Sequence, residues 1–311
     1  MFRNIGKRQR LELDYYFTPD GERFDLHNGA DTFLISMAGT GMPPITYIQT
    51  RGPYQHGVNI IDYRLDPRAI QAVFRQNAGF RQDYWDVRAN LLDILRPNRQ
   101  VAGQLRLGKL RKIIPGGKIR DIDVFIQQGP VFNARTTDVW DDLAITEALL
   151  FIAPDPTFYD PTQVCYVWSI DPASNLIFPF TFPFTLADST VSSSQNVVYT
   201  GTWLSFPSIE IAGPLETPQI RNDTTGDYIR LDYTIAEGET VTIGLAFGNK
   251  TVTSTLRGNI IGLASGDIAT FHIAPHPEAT NGLNVITVTG GNALLGTTTV
   301  TLSFYTRYIG I

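Results

Sequence analysis

The side chains that covalent catalysis requires do not occur together in this sequence. A nucleophilic hydrolase places Ser, Cys or Thr beside an oriented base, yet the chain has no Gly-x-Ser-x-Gly motif. The single cysteine, Cys165, stands among apolar neighbours, which predicts a small buried side chain rather than a reactive thiol. Residues 103–108 begin and end with glycine but are not followed by the Lys-Ser/Thr pair of a phosphate-binding loop. The sequence therefore predicts no catalytic residue and no cofactor.

Two other groups of residues could bind a metal ion or cleave a sugar. His272 and His276 have the spacing of two ligands on a helix, but Pro275 and Pro277 exclude a helix, and we expect no Cys or acidic partner nearby. A cluster of carboxylates surrounds an aromatic ring, as in glycosidase sites. It consists of Asp138, Trp140, Asp141 and Asp142. Because neighbours in sequence rarely face each other across a substrate, a solvated loop is the favoured interpretation, and no metal site is predicted.

Aromatic side chains in the C-terminal half could line a carbohydrate-binding face, because sugars stack on aromatic rings. They are Tyr199, Trp203, Phe206 and the phenylalanines at 178, 180, 182 and 184. The four phenylalanines alternate with other residues and would share one side of an extended strand. This alternation favours a buried core over a sugar-binding surface.

Residues 96–120 have the most unusual composition of the chain. They include eight cations and no Asp or Glu, although the whole protein has a net charge of −5. DNA binding would require interleaved aromatic residues or a known motif, which this segment lacks. Since like charges repel, we expect acidic residues of a neighbouring subunit to neutralise the segment. The predicted subunit interface consists of Arg106, Lys109, Arg111, Lys112, Lys118 and Arg120.

A turn at residues 115–117 (Pro-Gly-Gly) would let the strands on either side project toward that neighbour. Charge reversal at Arg111 and Lys112 is then expected to impair assembly and to leave the monomer folded, since exposed substitutions change stability little.

The elements that would position these residues are mostly strands. Residues 11–17 and 24–26 alternate around the turn at 18–22 and predict a hairpin. Residues 58–65 and 143–152 are further strands, the second apolar enough to be covered on both faces. One helix is predicted at about residues 81–96, with Trp85, Ala89, Leu92 and Leu95 on one face and Pro97 at its end.

Beyond the Asp-Pro pairs at 155–156 and 160–161, the strand pattern becomes regular. Residues 229–235 and 241–247 alternate around the turn at 236–239 and predict a second hairpin. Residues 285–289 and 300–304 continue the pattern. The sequence thus predicts a domain boundary at residues 155–165, with an N-terminal domain of residues 1–160 and a C-terminal β-sandwich of residues 161–311.

Several stretches, taken in order, resemble the distal tail protein family of siphophages. They are the N-terminal hairpin, residues 62–68 (Asp-Tyr-Arg-Leu-Asp-Pro-Arg), residues 91–98 at the end of the helix, residues 153–161, residues 206–214, residues 220–226, the turn at 237–239 and the ending Arg-Tyr-Ile-Gly-Ile. Each stretch is common in strands and turns, but their order and spacing extend over nearly the whole chain. The chain departs from the family at residues 243–247, which are apolar here.

The resemblance implies a mainly β protein, with an N-terminal β-rich ring domain carrying one α-helix and a galectin-like C-terminal β-sandwich. It also implies a six-subunit ring at the distal end of a phage tail, assembled in the host cytoplasm. The implied partners are other copies of the chain, the tail tube protein, the tail tip hub and, as a further candidate, a receptor-binding protein. Two other functions remain open: a carbohydrate-binding module for host recognition and, third, an accessory glycan hydrolase.

Bulk properties agree with an assembly role. The pI of about 5.4 gives no overall attraction to nucleic acid or to an anionic membrane, and no stretch reaches membrane-spanning length without charge or proline. We therefore expect a soluble protein without a membrane partner and without sequence-specific nucleic-acid binding.

Overall fold

A computed structural model describes residues 13–28, 30–78, 80–97, 99–101, 103–132, 144–170, 190–294 and 296–311. The chain divides into two compact units: residues 1–161 with 308–311 form unit 1, and residues 162–307 form unit 2. The last four residues thus return to the unit in which the chain begins.

Unit 1 is built mainly from antiparallel strands. Its elements are β1 (Leu13–Phe17), β2 (Arg23–Asp25), β3 (Thr32–Ala38), β4 (Ile45–Thr50), β5 (Asn59–Leu65), β6 (Arg68–Asn77), α1 (Arg81–Leu95), β7 (Gln100–Val101), β8 (Gln104–Leu105), β9 (Gly108–Ile114), β10 (Lys118–Gln128), β11 (Ala144–Ala153) and the start of β12 (Phe158–Ser169). The main sheet has the order β2-β1-β9-β10-β11-β6-β3, and β4-β5 and β7-β8 form separate pairs.

The hairpin predicted at the N-terminus is confirmed, with Tyr16 opposite Phe24. The strand predicted at residues 58–65 and the helix are confirmed within one residue at each end. Strand β11 lies between β6 and β10, but the prediction that it is covered on both faces is wrong. Leu149 and Phe151 are buried whereas Leu150 and Ile152 are partly exposed, because alternate side chains of a strand point to opposite faces.

Of the helix face that the sequence indicated, only Leu95 is buried. Leu91, Ile94 and Leu95 are buried in the core of unit 1, whereas Trp85 and Leu92 are exposed. The stripe that faces the core runs from Tyr84 through Val87 to Leu91, at spacings of three and four residues.

Unit 2 is a β-sandwich. Its strands are the remainder of β12, β13 (Thr190–Val198), β14 (Ser208–Ala212), β15 (Leu215–Asn222), β16 (Tyr228–Leu231), β17 (Thr234–Ile235), β18 (Thr240–Ala246), β19 (Asn249–Ser254), β20 (Gly258–Asn259), β21 (Ala264–Gly266), β22 (Leu283–Gly291) and β23 (Thr299–Tyr308). Short 3-10 turns occur at Ile261–Leu263 and Thr280–Gly282. One sheet has the order β12-β23-β14-β18-β19-β20, and the other has the order β13-β22-β15-β16-β21 with β17 beside β15.

The hairpin predicted for residues 229–247 is wrong, because its two halves belong to different sheets. Strands β16 and β17 pair with β15, whereas β18 pairs with β14 and β19. The turn between them carries the chain from one sheet to the other. Glu239 is buried at this turn and accepts hydrogen bonds from Tyr233 and Ser254. Alternation predicted the strands correctly but could not assign them to sheets.

Candidate functional site

The predicted basic interface lies on the hairpin of strands β9 and β10. Positive φ angles at Gly116 (94°) and Gly117 (78°) form the tight turn, and Gly117 donates a hydrogen bond to the carbonyl of Ile114. The register places Arg111 opposite Asp121 and Lys109 opposite Asp123. Each cation of β9 that points to this face therefore has a carboxylate across the strand pair.

Asp121 is the main counter-charge of this hairpin. It is fully buried (0% exposed) and accepts hydrogen bonds from Arg111 Nε at 2.7 Å and Nη2 at 2.8 Å. Lys109 Nζ lies 3.6 Å from the same carboxylate. The hydrogen bond to Asp121 raises the pKa of the Arg111 guanidinium, whereas burial raises the pKa of the Asp123 carboxyl. The pair formed by Arg111 and Asp121 is bidentate, which is the strongest geometry for this kind of contact.

Two further cations of the hairpin are neutralised inside unit 1. Lys112 Nζ lies 3.5 Å from the buried carboxylate of Asp14 on β1. Arg120 pairs with Asp160, and its guanidinium lies 3.7 Å from the centroid of the Tyr308 ring. The C-terminal return of the chain is thereby connected to the basic hairpin.

Arg99 forms a separate cluster beside the end of α1. Its buried guanidinium contacts the carboxylates of Asp20, Glu22 and Asp93, at 2.9, 2.6 and 3.1 Å. Hydrogen bonds from Thr18 and then from Arg99 lower the pKa of Asp20. Arg96 also pairs with Asp93, at 3.2 Å. This cluster joins the turn between β1 and β2 to the end of the helix.

The chain therefore neutralises most of its own basic segment, and the prediction that a neighbouring subunit must supply the counter-charges is wrong in that respect. Within the described residues, two of the eight cations, Arg106 and Lys118, have no carboxylate within ion-pair distance. The partners of the other six come from β1, the turn after it, α1, β10 and β12. Those of β1, the turn and β12 are distant from the segment in sequence, whereas Asp93 and Asp121 lie close to its two ends. One signal was available, since a two-strand hairpin around residues 115–117 places Asp121 opposite Arg111.

A more exposed surface of unit 1 is the hairpin of β4 and β5, here called the arm (residues 45–65). Its two strands pair only with each other among the described strands. Tyr47 lies opposite Tyr63 on one face, and Ile48 lies opposite Asp62 on the other. Ile60 is 62% exposed and Ile61 is 64% exposed. Both faces of the arm thus carry exposed apolar side chains, and an isolated two-stranded hairpin is marginally stable in water. The arm is therefore a candidate interaction surface.

The root of the arm is fixed by a buried arginine. Arg68 donates hydrogen bonds to the backbone carbonyls of Gly39, Gly41, Pro156 and Ile309. Its guanidinium also lies 4.9 Å from the centroid of the Phe158 ring. Burial lowers the pKa of Arg68 to about 10. Four neutral carbonyls thus replace water around this cation.

A second apolar surface of unit 1 lies at the C-terminal end of α1. A groove of about 330 Å³ is formed there by the helix end and the end of β10. Its lining includes Leu92, Leu95, Pro97, Ile126 and Pro130. Trp85 on the same helix and Phe80, which immediately precedes the helix, are also exposed. The arm and the groove are therefore two different apolar surfaces on one unit.

The structure corrects two other expectations from the sequence. Cys165 is exposed, because it points away from the core while Val164 and Tyr166 pack against it. His272 does have acidic neighbours: its Nε2 lies 3.1 Å from Glu278, and its Nδ1 lies 3.6 Å from Asp227. Glu278 is close to the histidine in sequence, whereas Asp227 comes from a distant loop that the fold brings to it.

The aromatic residues considered for sugar binding have structural contacts. Tyr199 is buried and donates a hydrogen bond to the carbonyl of Trp203 at 2.5 Å, and Phe206 packs against the core of unit 2. Residues 178–184, like the carboxylate cluster around Trp140, lie outside the described residues. Among the described residues, no group of three or more His, Cys, Asp or Glu side chains is arranged to hold a metal ion. In the same residues, no helix is long and apolar enough to cross a membrane.

Comparison with known structures shows which fold the chain has. The Dit protein of phage SPP1, described as a paradigm of the hub adsorption apparatus in phages that infect Gram-positive bacteria, matches with a TM-score of 0.61 and 13% identity. The match covers 96% of this chain and 99% of that chain. Two structures of the phage P2 baseplate, with calcium and with strontium, have TM-scores of 0.43 and 0.42 at 10% identity, covering 94% of this chain and 98% of those chains. No family model and no curated protein matches the sequence. The mainly β fold is confirmed, and the resemblance to distal tail proteins is confirmed at the level of the fold.

Proposed function

We propose that this protein is a non-enzymatic subunit of a closed ring in a phage tail. Support comes first from the likeness in fold to the SPP1 Dit protein over nearly the full length of both chains. The observation that carries the proposal is the pair of apolar surfaces on unit 1, the arm and the groove. Exposed apolar side chains on both faces of a hairpin mark a site where another molecule binds.

The two surfaces favour head-to-tail association. A surface that fits a different surface on the next copy generates a ring when the rotation closes and a filament when it does not. The arm of one copy would bury Ile60, Ile61 and Tyr63 against the groove and helix of the next, around Trp85 and Leu92. Each copy would then give one arm and receive one, so that neither the groove nor this face of the arm stays open in a closed ring.

The number of copies and the neighbours follow from the family resemblance alone. We propose six subunits, with the tail tube protein on one face of the ring, the tail tip hub on the other and a receptor-binding protein as a further partner. In this role the protein belongs to the virion, at the tail tip. The protein acts by holding its neighbours in position, and we assign no reaction to it.

Electron microscopy and light scattering of the purified full chain test the proposal. We expect rings that form as the protein concentration rises, and we expect Ile61→Asp in the arm or Leu92→Asp in the groove to leave only monomer. Leu256→Asp is the matched control, because Leu256 in unit 2 is an exposed leucine outside both surfaces (70% exposed). Arm and groove variants that build rings as well as the parent, or a parent that stays monomeric at every concentration, would contradict the proposal.

A further inference from the structure

Unit 2 carries a polar concavity on the outer face of its second sheet. The inner face of this sheet is apolar, with Ile220, Ile229 and Ile286 fully buried. Alternation turns the intervening residues outward, and these are mainly hydroxyl, amide and charged side chains. They include Ser192, Ser194, Asn196, Gln219, Arg221, Arg230, Thr287 and Thr289.

A cavity of about 520 Å³ opens on this face, lined by Gln219, Tyr228, Arg230, Asp232 and Ser265. Tyr228, Arg230 and Asp232 occupy every second position along β16 and the residue after it, so they share one side of the strand. The register places Gln219 opposite Arg230 on one side and Ser265 opposite Arg230 on the other. Five polar side chains from three strands thus converge around Arg230.

Three side chains of this site are unpaired among the described residues, whereas the Ser265 hydroxyl donates a hydrogen bond to the carbonyl of Arg230 at 3.4 Å. Within the described part of the chain, Gln219, Arg230 and Asp232 have no side-chain hydrogen bond or ion pair, although Arg230 and Asp232 are two residues apart. Tyr228 is fixed through its backbone, which exchanges hydrogen bonds with Asp267, while its ring stays exposed. A cation, a carboxylate, an amide and an aromatic ring are therefore all available to a ligand.

We propose that this cavity binds a saccharide. A pair of neighbouring sugar hydroxyls can donate one hydrogen bond and accept another, which suits a site that offers both a guanidinium donor and a carboxylate acceptor. Gln219 adds a donor and an acceptor, and the oxygen of Ser265, whose hydroxyl donates to the carbonyl of Arg230, adds an acceptor. The Tyr228 ring supplies a flat surface for the C–H face of the sugar. A concave site with a few convergent polar groups is the usual form of a small-ligand site.

Other ligand classes fit the site less well. A protein partner would need an apolar or aromatic core in the contact, and Tyr228 is the one aromatic side chain of the lining. A nucleic acid would need an excess of positive charge to neutralise its phosphates, whereas Asp232 offsets Arg230 and Asp223 pairs with Arg221 at 3.3 Å. The balance of charge favours a ligand that is neutral and rich in hydroxyl groups.

This site goes beyond the proposed ring function, because it lies in the other unit and uses none of the arm or groove residues. It also differs from the aromatic residues that the sequence suggested for sugar binding. Tyr199 and Phe206 support the core, whereas the cavity is built from polar residues of β15, β16 and β21.

The test is a glycan array probed with the full chain, with neutral, sulfated and phosphorylated oligosaccharides, followed by titration calorimetry with the strongest neutral ligand. Arg230→Ala and Asp232→Ala are each expected to weaken binding about tenfold or more, since each removes a hydrogen bond to a charged group. Glu210→Ala is the matched control, because Glu210 is an exposed acidic residue on the other sheet, between Thr242 and Thr301. It should leave the affinity unchanged.

Three results would overturn the proposal: no saccharide bound by the folded chain, neutral binding that survives both cavity variants, or binding limited to charged members and strengthened by Asp232→Ala. The last result would indicate a simple anion site. The arm variant Ile61→Asp should bind the saccharide as the parent does, so that a failure of ring assembly and a failure of this site are distinguishable.

Discussion

Among the individual side chains, Arg111 and Asp121 form an ion pair whose loss should destabilise the basic hairpin. Arg111→Glu would place a second carboxylate beside the fully buried Asp121 and remove its bidentate partner. We expect the free energy of unfolding to fall by about 3–5 kcal/mol, as when a buried ion pair is broken. Urea denaturation followed by circular dichroism measures this. The sequence alone predicted that charge reversal at Arg111 would change stability little, whereas the buried ion pair predicts a large loss.

Arg106→Glu is the matched control, because this arginine has no ion-pair partner among the described residues. The free energy of unfolding of this variant should stay within about 0.5 kcal/mol of the value for the parent. The double variant Arg106→Glu with Lys118→Glu then tests the predicted basic interface without loss of folding. Rings that form normally from this double variant would refute the basic interface. They would not contradict the proposed contact between arm and groove.

Lys250 predicts a pH dependence in unit 2. Its ammonium donates to the carbonyl of Leu245 at 2.7 Å and lies 3.8 Å from the centroid of the Phe206 ring. Burial lowers the pKa of Lys250 from 10.5 to about 8. Between these two values the unfolded chain binds the proton that the folded chain has lost, so the free energy of unfolding should rise with pH in this window.

Lys250→Met should lack this contribution. The measurement is the difference in free energy of unfolding between parent and variant, by urea denaturation below pH 8 and again near pH 10.5. The subtraction removes the tyrosines that also titrate in alkaline solution. A difference that does not change with pH would show that the folded-state pKa of Lys250 is close to its ordinary value.

Among the structural elements, we expect the arm to depend on the hydrogen bonds that Arg68 makes at its root. The variant Arg68→Met fills much of the same volume but leaves the carbonyls of Gly39, Gly41, Pro156 and Ile309 without their donor. Because each buried carbonyl without a partner costs about 1–3 kcal/mol, we expect a loss of at least about 3 kcal/mol in the stability of unit 1. Hydrogen exchange should show the loss of protection concentrated at the root of the arm.

Arg64→Met provides the comparison for this prediction. Arg64 lies on the arm itself, is largely exposed and approaches Asp66 only to 3.6 Å. Exposed ion pairs contribute little, so this variant should change stability by less than about 0.5 kcal/mol. Equal effects of the two variants would mean that Arg68 does not anchor the arm.

For the molecule as a whole, assembly and stability are linked. Association that requires the folded state stabilises that state by mass action, so the Tm of the parent should rise with protein concentration. The Ile61→Asp variant should show a Tm that does not depend on concentration and equals that of the dilute parent. Calorimetry over a wide range of concentration measures both, with Leu256→Asp expected to follow the parent. A concentration-independent Tm for a parent that forms rings would contradict a ring built by these surfaces.

The local structure of this protein can be predicted from its sequence. Alternation of apolar residues with period two located strands in both units, among them β1, β5, β18 and β23, and Pro97 ended the helix. These features depend on neighbours within a few residues, so the sequence records them directly. Other strands, such as β6 and β15, were not predicted. The order of the short stretches along the chain was also sufficient to indicate the distal tail protein fold.

Which surfaces are open depends instead on tertiary contacts. Asp14, Asp20 and Asp160 are far in sequence from the cations they neutralise, and alternation cannot tell which sheet a strand joins, as β16 and β18 show. The helix face toward solvent, the exposed arm and the cavity around Arg230 likewise depend on which elements meet. Burial and charge pairing arise from contacts between distant segments, and local sequence patterns contain no measure of those contacts.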